Sequence, residues 1–236
     1  MSEKDGAGEM IVLSLAGAII VMALAWFGAT AHGGLQLVDR LLVGLPLSAS
    51  FILGISLAVR PGWMKRLHKD TIHSADVSPP QSPVRRRRGH HPDCEHFRPH
   101  TVTARGKVLC AGCTGLAFGS VASIVIVSLY VSISTSVPQP TSSAIAAIGI
   151  ALVAASMTDS ELFQARGGER LFSNLIMPIG FLLVAVGLLE TTGSAVYGLV
   201  GVLISFLWLD TRIRLSRRRH IRICGNCGEA CKSYLA

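Results

Sequence analysis

Charged residues make up only 15% of this 236-residue chain, and aromatic residues only 6%. With half of the residues hydrophobic and a mean hydropathy of +0.50, so little charge excludes a soluble globular domain and, more firmly, a disordered chain. Also missing are a phosphate-cradling glycine loop, a Gly-x-Ser-x-Gly elbow and a His-Glu-x-x-His helix, which removes the usual signatures of nucleotide, acyl-transfer and metalloprotease chemistry. No catalytic residue stands out. The ten-residue apolar–polar alternation of an outer-membrane barrel is absent as well, leaving helices as the way to satisfy the backbone in lipid.

What is present is a series of apolar blocks of membrane-spanning length. A hydrocarbon core of about 30 Å takes about 20 helical residues to cross. Six segments qualify: Met10–Thr30, Leu41–Val59, Leu116–Ile133, Thr141–Thr158, Leu171–Leu189 and Thr192–Leu209. The first is not read as a signal peptide, because Glu3, Asp5 and Glu9 outnumber Lys4 ahead of it. The expected fold is an all-α polytopic membrane protein with six transmembrane helices, a small zinc-ribbon-like loop module and a cysteine-containing tail. Its parts are a helical pair (residues 1–59), a basic, proline-containing linker (60–88), the zinc-ribbon-like module (89–115), a four-helix membrane region (116–210) and a basic tail (211–236).

Lysine and arginine near span ends resist export, so their distribution sets orientation. Six spans place Lys4, the basic residues from Arg60 to Lys107, Arg166, Arg170 and those from Arg212 to Lys232 on one side, and Arg40 alone on the other. This predicts a multi-pass protein of the plasma membrane with both termini cytoplasmic.

All six cysteines fall on the cytoplasmic side of that topology, where a reducing environment favours metal binding over disulfides. His91 and Cys94 form one pair with two intervening residues, Cys110 and Cys113 another, and fifteen residues separate the pairs. Each such turn aims two side chains at one ion, and two turns complete the tetrahedron that zinc prefers. The intervening Thr101–Leu109 reads as two short strands around a turn at Arg105-Gly106. His91, Cys94, Cys110 and Cys113 are therefore the expected Zn2+ ligands, with His96 or His100 as an alternative to His91. His220, Cys224, Cys227 and Cys231 form a second, sparser candidate site in the tail.

The run Cys110-Ala-Gly-Cys-Thr-Gly-Leu-Ala-Phe-Gly119, preceded by His91-Pro-Asp-Cys94, resembles the predicted membrane proteins of the domain-of-unknown-function DUF 2085 family. In that family a Cys-Ala-Arg-Cys-Thr-Gly motif runs into a transmembrane helix after an upstream Cys-His element. The resemblance covers residues 89–133, with Gly112 in place of the arginine and Glu95 in place of the histidine. It implies a metal motif at a membrane surface and no established activity.

Gly115 with Gly119, and Ser50 with Gly54, are small pairs four residues apart that favour close helix packing. The Arg85–Arg88 run, behind a proline-rich linker, suits anionic lipid head groups as well as fixing topology; nucleic acid is disfavoured because no aromatic platform accompanies it. His32, Asp39, Arg40, Asp159, Glu190 and Asp210 fall at span ends, and a membrane region without buried charge argues against proton-coupled transport. The expected role is a non-enzymatic accessory, assembly or regulatory subunit whose zinc module docks a protein partner at the cytoplasmic face. The alternatives are a transporter or metal-handling protein, and a membrane thiol redox protein using Cys224 and Cys227.

Overall fold

The computed structural model describes residues 5–28, 35–59, 98, 100–104, 106–132, 138–161 and 167–225. Helices α1 (Asp5–Phe27) and α2 (Leu37–Val59) come first, followed by strands β1 (Thr101–Ala104) and β2 (Lys107–Cys110). Helices α3 (Ala111–Ser132), α4 (Gln139–Glu161), α5 (Gly167–Thr192) and α6 (Ala195–Gly225) complete the order. All six helices are long and apolar enough to cross a membrane. The fold defines a multi-pass membrane protein.

Contacts along the helices show how they run. Ser142 at the start of α4 meets Thr191 at the end of α5, while Ser156 near the end of α4 meets Ser173 near the start of α5. Arg212 near the end of α6 also reaches Ser173. Ser14 of α1 bonds Thr211, and Ala25 of α1 accepts from Ser143. Consecutive helices therefore alternate in direction, and every odd-numbered helix begins at the end of the bundle that carries the hairpin.

Helix α5 is the hub, packing on all five others. Its central sequence, Gly180-Phe-Leu-Leu-Val-Ala-Val-Gly-Leu-Leu189, is apolar on every side, as a helix enclosed by other helices must be. Against α4 it forms a seam of mostly small residues at alternating intervals of four and three. Ser142, Ala146, Gly149, Val153 and Ser156 face Ser173, Met177, Gly180, Val184, Gly187 and Thr191. The backbones are so close that a methyl group added at Gly149 would lie 2.7 Å from the Val184 nitrogen. Dispersion across such a contact, not the hydrophobic effect, holds helices together in lipid. Hydroxyl bonds close both ends of the seam, Thr191 Oγ1 to Ser142 Oγ at 3.0 Å and Ser173 Oγ to the Ser156 carbonyl at 3.1 Å.

Gly115 and Gly119 press α3 onto α5, where a Cβ would overlap the Leu171 and Leu175 carbonyls. Gly54 lies against Ser120 Oγ, bringing α2 to the other flank of α3. Gly115, Gly119 and Gly54 of the small pairs anticipated in the sequence thus pack helices, while Ser50 Oγ donates to the Pro46 carbonyl of its own helix. Pro46 and Pro178 lie inside uninterrupted helices.

The helix boundaries differ from the apolar limits in ways that matter below. Helix α2 starts four residues before Leu41, because the Gln36 amide donates to Asp39 Oδ2 at 3.1 Å, half of a capping box. Helix α5 continues through Glu190 to Thr192. Gly193, in the left-handed conformation at φ 65°, then turns the chain and donates its amide to the Leu189 carbonyl. Helix α6 runs past residue 211, where the tail was expected to begin, to Gly225. No glycine or proline interrupts residues 202–224.

The hairpin matches expectation, with Thr101 opposite Cys110 and Ala104 opposite Lys107. Gly106 adopts φ 71° in the turn, as a tight hairpin requires. It is not a module apart from the bundle, because Gly167 at the start of α5 packs against the Thr101 carbonyl and Val102.

Candidate functional site

At the hairpin end, Cys110 is the last residue of β2 and is buried, while Cys113 lies half-buried in the first turn of α3. Thr114 Oγ1 donates to the Cys110 carbonyl at 2.8 Å, bracing the strand-to-helix junction between them. Gly112, between the cysteines, sits over Asn174, whose Nδ2 donates to the Arg170 carbonyl at 2.7 Å. The two cysteines thus flank the junction of β2 and α3, beside the first turns of α5.

His100 is buried beside this junction, since its neighbour Thr101 pairs with Cys110. Its Nδ1 lies 3.0 Å from Arg170 Nη1. A guanidinium only donates, so Nδ1 must accept. A neutral His100 then carries its proton on Nε2 and has no lone pair left for a metal. As held here, His100 anchors the hairpin to α5 through Nδ1.

His91, Cys94 and His96 lie outside the described residues, as do Cys227, Cys231 and Arg85–Arg88. His220 and Cys224 belong to α6, which delivers them to the hairpin end. Among the described residues, no three histidine, cysteine, aspartate or glutamate side chains gather as a metal cluster.

A second polar group ties the same end together. Arg212 is buried and donates to the Ser156 carbonyl, and also to Ser173 Oγ at 3.0 Å. It clamps α6 onto the end of the α4–α5 seam. Nearby, Ser14 Oγ and Thr211 Oγ1 are 2.7 Å apart, and Trp208 Nε1 donates to the Ser14 carbonyl at 3.0 Å, so the bundle closes through α1.

The opposite end corrects one expectation. Arg40 and Glu190 are not exposed at span ends: their side chains are 4% and 1% exposed, and Arg40 Nη2 lies 3.3 Å from Glu190 Oε1. Tyr130 Oη donates to the same carboxylate oxygen at 2.5 Å, and the guanidinium lies 5.0 Å from the centroid of the Tyr130 ring. Helices α2, α3 and α5 therefore meet at a buried charge cluster. The capping bond of Asp39 and the extra turn of α5 bring both ionic groups inside helices, which an apolar boundary conceals. A signal was present in the sequence: Arg40 is the one basic residue on its side of the predicted topology, and Glu190 falls on that same side.

No family model, curated protein or solved structure matches the chain.

Proposed function

We propose that the protein is a non-enzymatic accessory or assembly subunit of the plasma membrane, carrying one structural zinc at the hairpin end. In this reading Cys110 and Cys113 supply two ligands, and Cys94 with His91 the others. The observation that carries it is the mounting of Cys110 and Cys113 at a braced strand-to-helix junction, with the close Gly115–Gly119 packing immediately behind. Cys94 precedes His100, which is bonded to Arg170, by six residues in the sequence. A closed four-ligand site organises surface and leaves no coordination position for chemistry, which suits a docking face for a protein partner. This end is assigned to the cytoplasm, with both termini, because Arg40 is the only described basic residue at the other end.

The test is elemental mass spectrometry on the purified full chain, wild type beside Cys110→Ser/Cys113→Ser. About one zinc per chain, lost in the variant, supports the reading. Wild-type protein without stoichiometric metal rejects it. A second zinc lost with Cys224→Ser/Cys227→Ser would assign the site of His220, Cys224, Cys227 and Cys231.

One observation favours a second reading, a transporter or metal-handling protein. Ionisable residues buried within membrane helices commonly mark substrate or ion pathways, and Arg40, Glu190 and Tyr130 are such a group. Metal-dependent flux in proteoliposomes, abolished by Glu190→Gln in a folded variant, would establish it.

A further inference from the structure

Helix α6 is 31 residues long, or about 46 Å at 1.5 Å per residue, against a hydrocarbon core of about 30 Å. Its apolar, membrane-compatible stretch ends at Ser216. The last turns therefore stand at and beyond the head-group level. Four arginines lie beyond Ser216, at positions 217, 218, 219 and 222, Arg212 and Arg214 occupy the last turns before it, and residues 209–225 contain no lysine. Arg212 is buried in the bundle. At about 100° of rotation per residue, positions 214, 217, 218, 219 and 222 spread over an arc of roughly 200° rather than along one narrow stripe. Arg214 is exposed and pairs with Asp210 at 2.8 Å, a contact that solvent makes weak.

We propose that this extension is a collar that binds the phosphate groups of anionic phospholipids in the leaflet at the hairpin end, and that it is the principal anionic-lipid site of the protein. The helix emerges from the bilayer as the collar begins, so lipid phosphates are the first anions it meets. Arginine suits them because its planar fork forms paired hydrogen bonds to phosphate oxygens. Residues 209–225 contain no phenylalanine, tyrosine or tryptophan, so the stacking surface used for single-stranded nucleic acid is missing. The clamp formed by Arg212 with Ser156 and Ser173 fixes the base of the collar to the seam and sets its depth.

The full chain is reconstituted in nanodiscs of equal phosphatidylcholine and phosphatidylglycerol, re-extracted in mild detergent, and its retained lipid quantified by mass spectrometry. Wild type is expected to retain phosphatidylglycerol preferentially, and to lose that preference as salt rises, since the interaction is electrostatic. Joint replacement of Arg214, Arg217, Arg218, Arg219 and Arg222 by Gln is expected to reduce retained phosphatidylglycerol about tenfold or more, with phosphatidylcholine unchanged. A parallel variant with Arg85–Arg88 replaced by Gln leaves α6 intact and is expected to behave as wild type. Loss of retention in that variant would overturn the assignment even if the collar variant failed to fold. So would wild-type protein that shows no preference, a folded collar variant that keeps it, or co-purifying RNA in place of anionic lipid.

Discussion

Arg40 and Glu190 form a buried ion pair at 3.3 Å, joining the first turn of α2 to the last turn of α5. Taking two charges out of water and lipid head groups is costly, and removing one partner leaves the other uncompensated. Arg40→Gln and Glu190→Gln should each destabilise the folded protein by about 3–5 kcal/mol, read as denaturant midpoints in detergent. Replacing both residues by leucine should cost less than either single change. Unaltered midpoints in the single variants would remove the pair from any structural role.

Tyr130 gives a finer test of the same cluster. Tyr130→Phe keeps the ring beneath the Arg40 guanidinium and removes only the hydroxyl that donates to Glu190. A loss of about 1.5–3 kcal/mol is expected for one hydrogen bond to a charged group. A loss as large as that of Glu190→Gln would mean that the hydroxyl bond carries most of the cluster, and no loss would mean that the ring position alone organises it.

The α4–α5 seam should be intolerant of volume where the backbones touch. Gly149→Val and Gly187→Val place methyl groups against the backbone of the facing helix, and overpacking by at least about 1–3 kcal/mol is expected, visible as lower thermal stability and aggregation. Gly168→Val is the matched control, since an added Cβ there meets nothing within 4 Å. Equal effects at Gly168 and Gly149 would contradict the close approach.

Metal content should separate His100 from the thiols. If Arg170 holds Nδ1 of His100 as an acceptor, His100→Ala retains the zinc that Cys113→Ser loses. The variant should instead show faster amide hydrogen exchange in the 101–110 hairpin, which His100 fastens to α5. Loss of metal in His100→Ala would restore it as a ligand and require Arg170 to move.

The membrane architecture was readable because the physics that writes it is one-dimensional: lipid demands an uninterrupted apolar run, and each of the six runs lies largely within a helix. The hairpin was readable too, from Gly106 between two short β-prone segments. Helix ends were less accessible, because they depend on polar groups that apolarity ignores. Asp39 reaching back to the Gln36 amide lengthens α2 at one end, and the absence of a breaker before Gly225 lengthens α6 at the other. The Arg40–Glu190–Tyr130 cluster was missed for this reason, since both charges look terminal until the helices that contain them are extended. At the candidate metal site the spacing exposed Cys110 and Cys113, but the partner that occupies His100 is 70 residues away in the chain, a distance that no local pattern spans.

The central position of α5 has a consequence for biogenesis. It follows α1–α4 in the chain, so these helices enter the membrane before the element they pack against exists. Until it arrives, Arg40 has no carboxylate, Tyr130 no acceptor on α5, and the glycine faces of α3 and α4 no opposing backbone. Insertion of α5 therefore supplies the surface on which the preceding helices are packed in the finished bundle. A chain arrested before residue 167 would present unpaired polar groups and open small-residue faces to the lipid, the features by which a membrane quality-control system can recognise an unfinished protein.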